Sequence, residues 1–335
     1  MFILFGFVSC NKSTTPREFF DIPEFALING STFDQEIIMQ PPSQIEIIDN
    51  NLFFFRPMGV VAKGVNKSNG IPTMDLPRIG NAPGEFISPY FAGENKDDST
   101  FYVSDASYRL IRKYKWDVNH NAFSYKLLEE KKWNDLKTSF YVVNRMKNGY
   151  FVVLSNSGKT KLPLALLDSD LNMVSEFGEM FEEGEKINPH LYHGAFASFE
   201  KQIVYAAIDF GYLVSYTITD DLEITKNWEH FFSPIKFKYE QGLAKFDRSS
   251  IIKGFYDVKM TENYIYCLYS GKSREINSPT EVLPNKVLVL RHDGSFVKCY
   301  QLDEQAIRIA VDNDSLLYAA TLTPDADVAY YNISE

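Results

Sequence analysis

One pattern recurs along this chain: an apolar strand, a short polar turn, then a second strand rich in aromatic residues. The copies are Ile47–Phe54, Asn95–Val103, Arg145–Val152, Phe199–Tyr205, Met260–Tyr266 and Val311–Tyr318. Their second strands restart at Leu52, Phe101, Tyr150, Ile203, Tyr264 and Leu316, a spacing of roughly 50 to 60 residues. That is the length of a four-stranded propeller blade with its loops. Asn148-Gly149 is the strongest hairpin turn among the copies, because both residue types tolerate positive φ. A second, outer hairpin follows most copies. It turns at Asp168-Ser169-Asp170, at Asp220-Asp221 and at Asp293-Gly294, and is least distinct between Val60 and Met74.

The pattern predicts an all-β fold, a six-bladed β-propeller of four-stranded antiparallel blades. The last blade has strands near Ala306–Val311, Ser315–Thr321 and Asp327–Ile333, and lacks a fourth. The segment Thr32–Met39 precedes the first blade and has no other partner. It is expected to complete the last blade beside Asp327–Ile333, closing the ring and removing a long exposed edge. No long stretch has helical periodicity. Asn134–Val142 and Gln241–Ile252 have room for a short helix at most.

Composition agrees with one large β domain over residues 32–335. The 335 residues are 45% hydrophobic and 15% aromatic, which suits strands packed face to face. The net charge of −10 argues against a nucleic-acid partner, since binding needs cations to displace phosphate counterions. Cys267 and Cys299 lie in alternating apolar runs and are read as buried core thiols, with a disulfide between them as the lesser alternative. They form no CxxC or Cys/His ligand spacing.

The N-terminus is of another kind. Met1–Cys10 is an apolar run too short to span a bilayer, and it ends in Phe7-Val8-Ser9-Cys10. It has the character of a signal peptide's end, with a lipobox-like cysteine as the lipidation site. No Lys or Arg precedes the run. Residues 11–31 are then a tether, and the chain is expected in the cell envelope, periplasm or outer membrane, held to the membrane through a lipid on Cys10.

The segment Gly80-Asn81-Ala82-Pro83-Gly84-Glu85-Phe86 is followed by Tyr102-Val103-Ser104-Asp105 and Arg109-Leu110-Ile111-Arg112-Lys113-Tyr114. With these the chain resembles the TolB-like six-bladed β-propeller lipoproteins of Bacteroidetes. Asn81-Ala82 stands where the usual pattern has glycine, and the motif occurs once. The resemblance implies an envelope propeller; a shared fold does not transfer a reaction.

In a four-stranded blade, loops joining the second and third strands share one face with the links between blades. The other turns share the opposite face. The long segments Glu179–His193, Phe232–Lys253 and Gly271–Pro284, with the shorter Arg78–Tyr90, all fall on the first face. Long loops gathered on one side point to a binding face. The ligand-binding candidates there are Arg56, Arg78, Asp105, Arg109, Lys159, His190, His193, Asp209, Tyr212 and Arg248. Tyr212, Phe210 and Tyr90 are candidates to stack on a sugar or clamp a peptide.

No catalytic constellation is apparent. His190 and His193 stand three apart in a proline-led loop, while His120 and His292 fall in hairpin turns, so no metal site or cofactor is expected. Asp312-Asn313-Asp314 and Asp168-Ser169-Asp170 lack the glycine and distal glutamate of a calcium loop. Neither a Gly-x-Ser-x-Gly elbow nor a glycine-rich phosphate loop occurs. The favoured function is a non-catalytic binding or scaffold propeller with a protein or glycan partner. The alternative is a glycan lyase or hydrolase acting at the central funnel with paired carboxylates.

Overall fold

The computed structural model describes residues 18–34, 37, 40–55, 59–119, 122–133, 140–155, 160–181, 188–241, 243–247, 250–273, 282–322 and 326–334. Two short strands come first, β1 (Ala26–Ile28) and β2 (Ser31–Thr32). Blade 1 is β3–β6 (Gln44–Ile48, Asn51–Phe55, Ala62–Asn66, Pro72–Asp75). Blade 2 is β7–β10 (Pro89–Asn95, Thr100–Asp105, Leu110–Asn119, Ala122–Lys132). Blade 3 is β11–β14 (Phe140–Arg145, Phe151–Ser155, Leu164–Leu167, Met173–Phe177). Blade 4 is β15–β18 (Gly194–Phe199, Gln202–Ala207, Tyr212–Ile218, Ile224–Phe231). A separate hairpin follows, β19 (Phe237–Glu240) and β20 (Leu243–Phe246). Blade 5 is β21–β24 (Phe255–Met260, Ile265–Tyr269, Lys286–Leu290, Phe296–Leu302). Blade 6 is β25–β27 (Ala306–Asp312, Leu316–Thr321, Asp327–Asn332) with β2 as its outer strand.

The strands are apolar without alternation because both faces of each sheet are buried. A period of two sends Phe53 and Phe55 into the interface with blade 2, and Leu52 and Phe54 into the interface with blade 6. The same rule fills every blade interface with its own apolar cluster. Blades 2 and 3 share one, as do blades 3 and 4, 4 and 5, and 5 and 6. The cluster between blades 6 and 1, with Ile45, Leu52, Phe54, Tyr318 and Val328, closes the ring as a packed interface. Cys267 and Cys299 are free, buried thiols within the cluster between blades 4 and 5. Burial pushes the Cys299 thiol up to about 12.

The N-terminal strand does pair with β27, but its register corrects the expected span. The ladder is formed by Ser31 opposite Tyr330 and Thr32 opposite Ala329. Phe33 then stacks its ring 5.2 Å from that of Tyr330, and Ile37 is buried in the cluster between blades 6 and 1. Apolar alternation after Thr32 thus serves packing. Residues 35, 36, 38 and 39 of the expected strand lie outside the described residues.

The stretch before Ser31 is laid along the rim. Phe20 N donates to Phe231 O at 2.6 Å, on the outer strand of blade 4. The Phe20 ring sits 4.7 Å from His230 and 5.2 Å from Phe232. β1 then adds in parallel to β24, making blade 5 five-stranded. Gly30 N meets both carboxylate oxygens of Asp303 at 3.2 Å before the chain turns into β2. From Glu18 onward the expected tether is therefore a strap across blades 4, 5 and 6.

In the two regions with room for a short helix at most, Phe140 begins β11 and Leu243–Phe246 is β20, while Ser250 stands in a 3-10 turn. Two further 3-10 turns are Lys96–Asp98 and Pro189–Tyr192.

Candidate functional site

The long-loop face holds the sequence-predicted residues in different states. Arg56, Lys159 and Arg248 lie outside the described residues, as does Cys10. Arg78 forms an isolated bridge with Val60 in the link after blade 1. Arg109 takes a left-handed φ of 54° in the turn between β8 and β9, and its carbonyl accepts from Trp133 N. Tyr212 is 2% exposed, and its hydroxyl donates to Glu229 Oε2 at 3.0 Å. It stacks with Phe210 inside the cluster between blades 3 and 4, so neither ring is presented to a ligand there.

Asp105 is fully buried at the end of β8. Its carboxylate accepts from Ile87 N at 2.6 Å, Ser88 N at 3.2 Å, and Ser107 N and Tyr108 N at 2.9 Å. Arg112 reaches the same link from β9. It donates to Gly84 O at 2.9 Å, Glu85 O at 3.0 Å and Glu130 Oε2 at 2.8 Å, with its guanidinium 4.4 Å over the buried Phe86 ring. Glu85 accepts from Ala82 N at 2.8 Å. The segments that carry the family resemblance thus converge on one brace between blades 1 and 2.

The structure brings His190, His193 and Asp209 together, with Lys253 paired to Asp209. The two imidazole rings are 5.9 Å apart. Burial lowers the His193 pKa, and the Asp209 charge opposes that shift. Among the described residues no group of three or more His, Cys, Asp or Glu side chains has the geometry to hold a metal ion.

A cavity opens at the other end of the ring axis, on the face of the tight turns. It is about 630 Å³ and takes residues from the innermost strand and first turn of all six blades. Those strands are β3, β7, β11, β15, β21 and β25, and each supplies a residue within its last three positions before the turn: Glu46, Glu94, Arg145, Ser198, Lys259 and Ala310. A second space of about 200 Å³ lies along the same strands, and Gln44, Tyr90 and Asp257 join its lining.

Most charges here are engaged. Lys259 meets Glu46 at 2.6 Å, Lys147 meets Glu200 at 2.7 Å, and Lys67 meets Asp312 at 2.7 Å. Asp257 accepts from Val258 N at 2.9 Å and Ile309 N at 3.0 Å. Asp314 accepts from Asn263 Nδ2 at 2.8 Å and Tyr266 Oη at 3.0 Å. Burial pushes the Glu46 carboxyl up to about 7, with Lys259 opposing. Burial also raises Glu94, opposed by Lys96. Glu46, Glu94, Ser198 and Lys259 stand just before their copies of the sequence pattern, and Arg145 opens its own. The signal that marks them is a charged or polar side chain at the end of an otherwise apolar inner strand.

A family model described as TolB-like 6-blade propeller-like matches residues 73–314. A search of curated proteins returns no match. Similar solved structures include a protein from Bacteroides fragilis described as exported, with 12% identity, TM-score 0.61, and coverage of 95% of this chain and 99% of that one. Regucalcin from Agrobacterium tumefaciens, described as a calcium-binding protein, is 11% identical with TM-score 0.50, covering 91% of this chain and 94% of its own. The luciferin-regenerating enzyme is 12% identical with TM-score 0.50, covering 89% and 94%. At these identities the likeness is one of fold.

Proposed function

The chain belongs to the TolB-like 6-blade propeller-like family, and on that premise we propose that it is a non-catalytic binding propeller of the cell envelope. A lipid on Cys10 anchors it, and the axial cavity holds its ligand. The observation that carries this reading is the cavity of about 630 Å³ to which all six blades contribute polar side chains. Its size is that of a small-molecule site, and convergent polar groups in a concavity are what fix a ligand's orientation. The long-loop face, with His190, His193 and Asp209, is the remaining surface for a protein partner.

A glycan lyase or hydrolase in the same cavity is the second reading, favoured by Glu46, whose raised pKa suits a general acid. Two features weigh against it. Glu46 is held by Lys259 at 2.6 Å. Phe199 is the one aromatic residue lining the mouth among the described residues, and its ring faces His292 at 5.4 Å, so a sugar finds little stacking surface.

The test is ligand capture from an envelope extract, read by mass spectrometry, with wild type and Ser198→Trp compared. Ser198 lines both spaces, so an indole there fills the axis. The wild type should retain a small molecule that the folded variant does not. Equal retention by both removes the cavity as the seat, and product formation from a polysaccharide panel replaces the binding reading with the enzymatic one.

A further inference from the structure

We infer that the axial cavity takes a small zwitterion, a free amino acid or short peptide, with its ammonium group at Glu94 and its carboxylate at Arg145. The inference rests on the cavity being the ligand seat and names what that seat would recognise.

Two charged groups in the mouth lack full partners. Glu94 Oε2 is buried without a hydrogen-bond partner, and Oε1 has only the Lys96 ammonium at 3.4 Å. Arg145 lies across the Tyr102 ring, 4.7 Å from its centroid, and among the described residues no carboxylate stands within ion-pair distance of it. Arg145 lines the mouth, the deeper axial space and the cleft between blades 2 and 3. Its planar fork matches a carboxylate bidentately, and the contact with Tyr102 holds the plane in place.

The two groups come from neighbouring inner strands that approach closely. Gly93 has φ of +121°, and a Cβ there would stand 3.1 Å from the Arg145 Cβ and 3.4 Å from its backbone N and O. Only glycine lets the inner strands of blades 2 and 3 approach this closely. Glu94, the next residue, points to the opposite face of its strand, and both side chains line the mouth and the deeper axial space.

Charge pairing selects the ligand class. A buried carboxylate oxygen without a partner is costly, and a half-buried guanidinium with no ion-pair partner among the described residues is open to a carboxylate. A simple amine satisfies Glu94 and leaves Arg145, and a simple acid does the reverse. A molecule with both groups satisfies both, and about 630 Å³ admits one or two amino-acid residues. Neutral sugars meet a single aromatic side chain in the mouth, Phe199, as noted above.

The test is calorimetric titration of the full chain with the standard L-amino acids and glycine- or alanine-containing dipeptides. Each binder is then repeated as its N-acetyl and its C-terminal amide form. At least one zwitterion should bind with Kd below about 1 mM, and each blocked form should bind at least about tenfold more weakly. Glu94→Gln and Arg145→Gln should each weaken the same ligand by about tenfold, while Lys126→Ala, exposed on the outer strand of blade 2, leaves it unchanged. If no zwitterion in the panel binds, or if blocked forms bind equally to the wild type, the inference is overturned. Ser198→Trp separates the two levels of argument. A zwitterion that binds this variant as well as wild type sits elsewhere, and the cavity reading fails. A zwitterion lost in Ser198→Trp but indifferent to Glu94→Gln and Arg145→Gln keeps the cavity and refutes the assignment made here.

Discussion

Replacing Asp105 separates a bracing role from a ligand-binding one. Its carboxylate accepts four backbone N–H groups, two from the link after blade 1 and two from the turn after β8. Oδ2 serves Ile87 and Ser88, and Oδ1 serves Ser107 and Tyr108. A net hydrogen bond contributes about 1 kcal/mol, and those to a charged group somewhat more. These donors are only partly buried, so we count about 1 kcal/mol each and expect about 4 kcal/mol of lost stability for Asp105→Ala. Asp105→Asn keeps one acceptor oxygen and should lose about 2 kcal/mol. The assay is urea denaturation followed by tryptophan fluorescence, with the slope checked to be unchanged. A loss below about 1 kcal/mol for Asp105→Ala would refute the brace. So would weakened ligand binding with stability intact.

Three further outcomes follow from the same structure. Phe20→Ala removes the ring packed on His230, Phe232 and Phe296, and should cost about 2 kcal/mol in urea denaturation while leaving ligand binding unchanged. Burial raises the folded pKa of Glu46 from the ordinary 4.5 to about 7, so the folded state holds the proton more tightly than the unfolded chain. Its contribution to stability is full below about 4.5 and is lost as pH rises through about 7; denaturation midpoints at several pH values should show this fall, and Glu46→Gln should flatten it. Cys10→Ser should abolish incorporation of labelled palmitate and move the protein out of the membrane fraction; continued membrane association would remove the lipid anchor from the account.

The repeat was legible because each blade must bury both faces of its strands and turn tightly between them. Runs such as Leu52–Phe55 can be read directly as two-sided core. Ring closure was legible from the missing fourth strand, but its register was not. Alternation in Thr32–Met39 reflects packing, with Phe33 partly buried and Ile37 buried, while the hydrogen bonds fall on Ser31 and Thr32. The strap was hidden for a related reason. Its contacts with blades 4 and 5 use isolated residues, Phe20, Ile22 and Phe25, with proline and acidic residues among them, which gives no periodic signal.

The candidate site was harder to see. Loop length directed attention to the long-loop face, and several residues chosen there, Asp105 and Tyr212 above all, prove to hold the fold. The axial residues come from six places far apart in sequence, and each looks ordinary within its own strand. Only the closed ring brings Glu46, Glu94, Arg145, Ser198 and Lys259 together around one axis.

Hydrogen–deuterium exchange with and without a captured ligand tests the location of binding most directly. The account predicts slowed exchange in peptides covering residues 94–98, 144–147, 198–201 and 259–263, around the axial mouth. Protection confined to 78–90, 188–193 and 208–212, with the axial peptides unchanged, would contradict it.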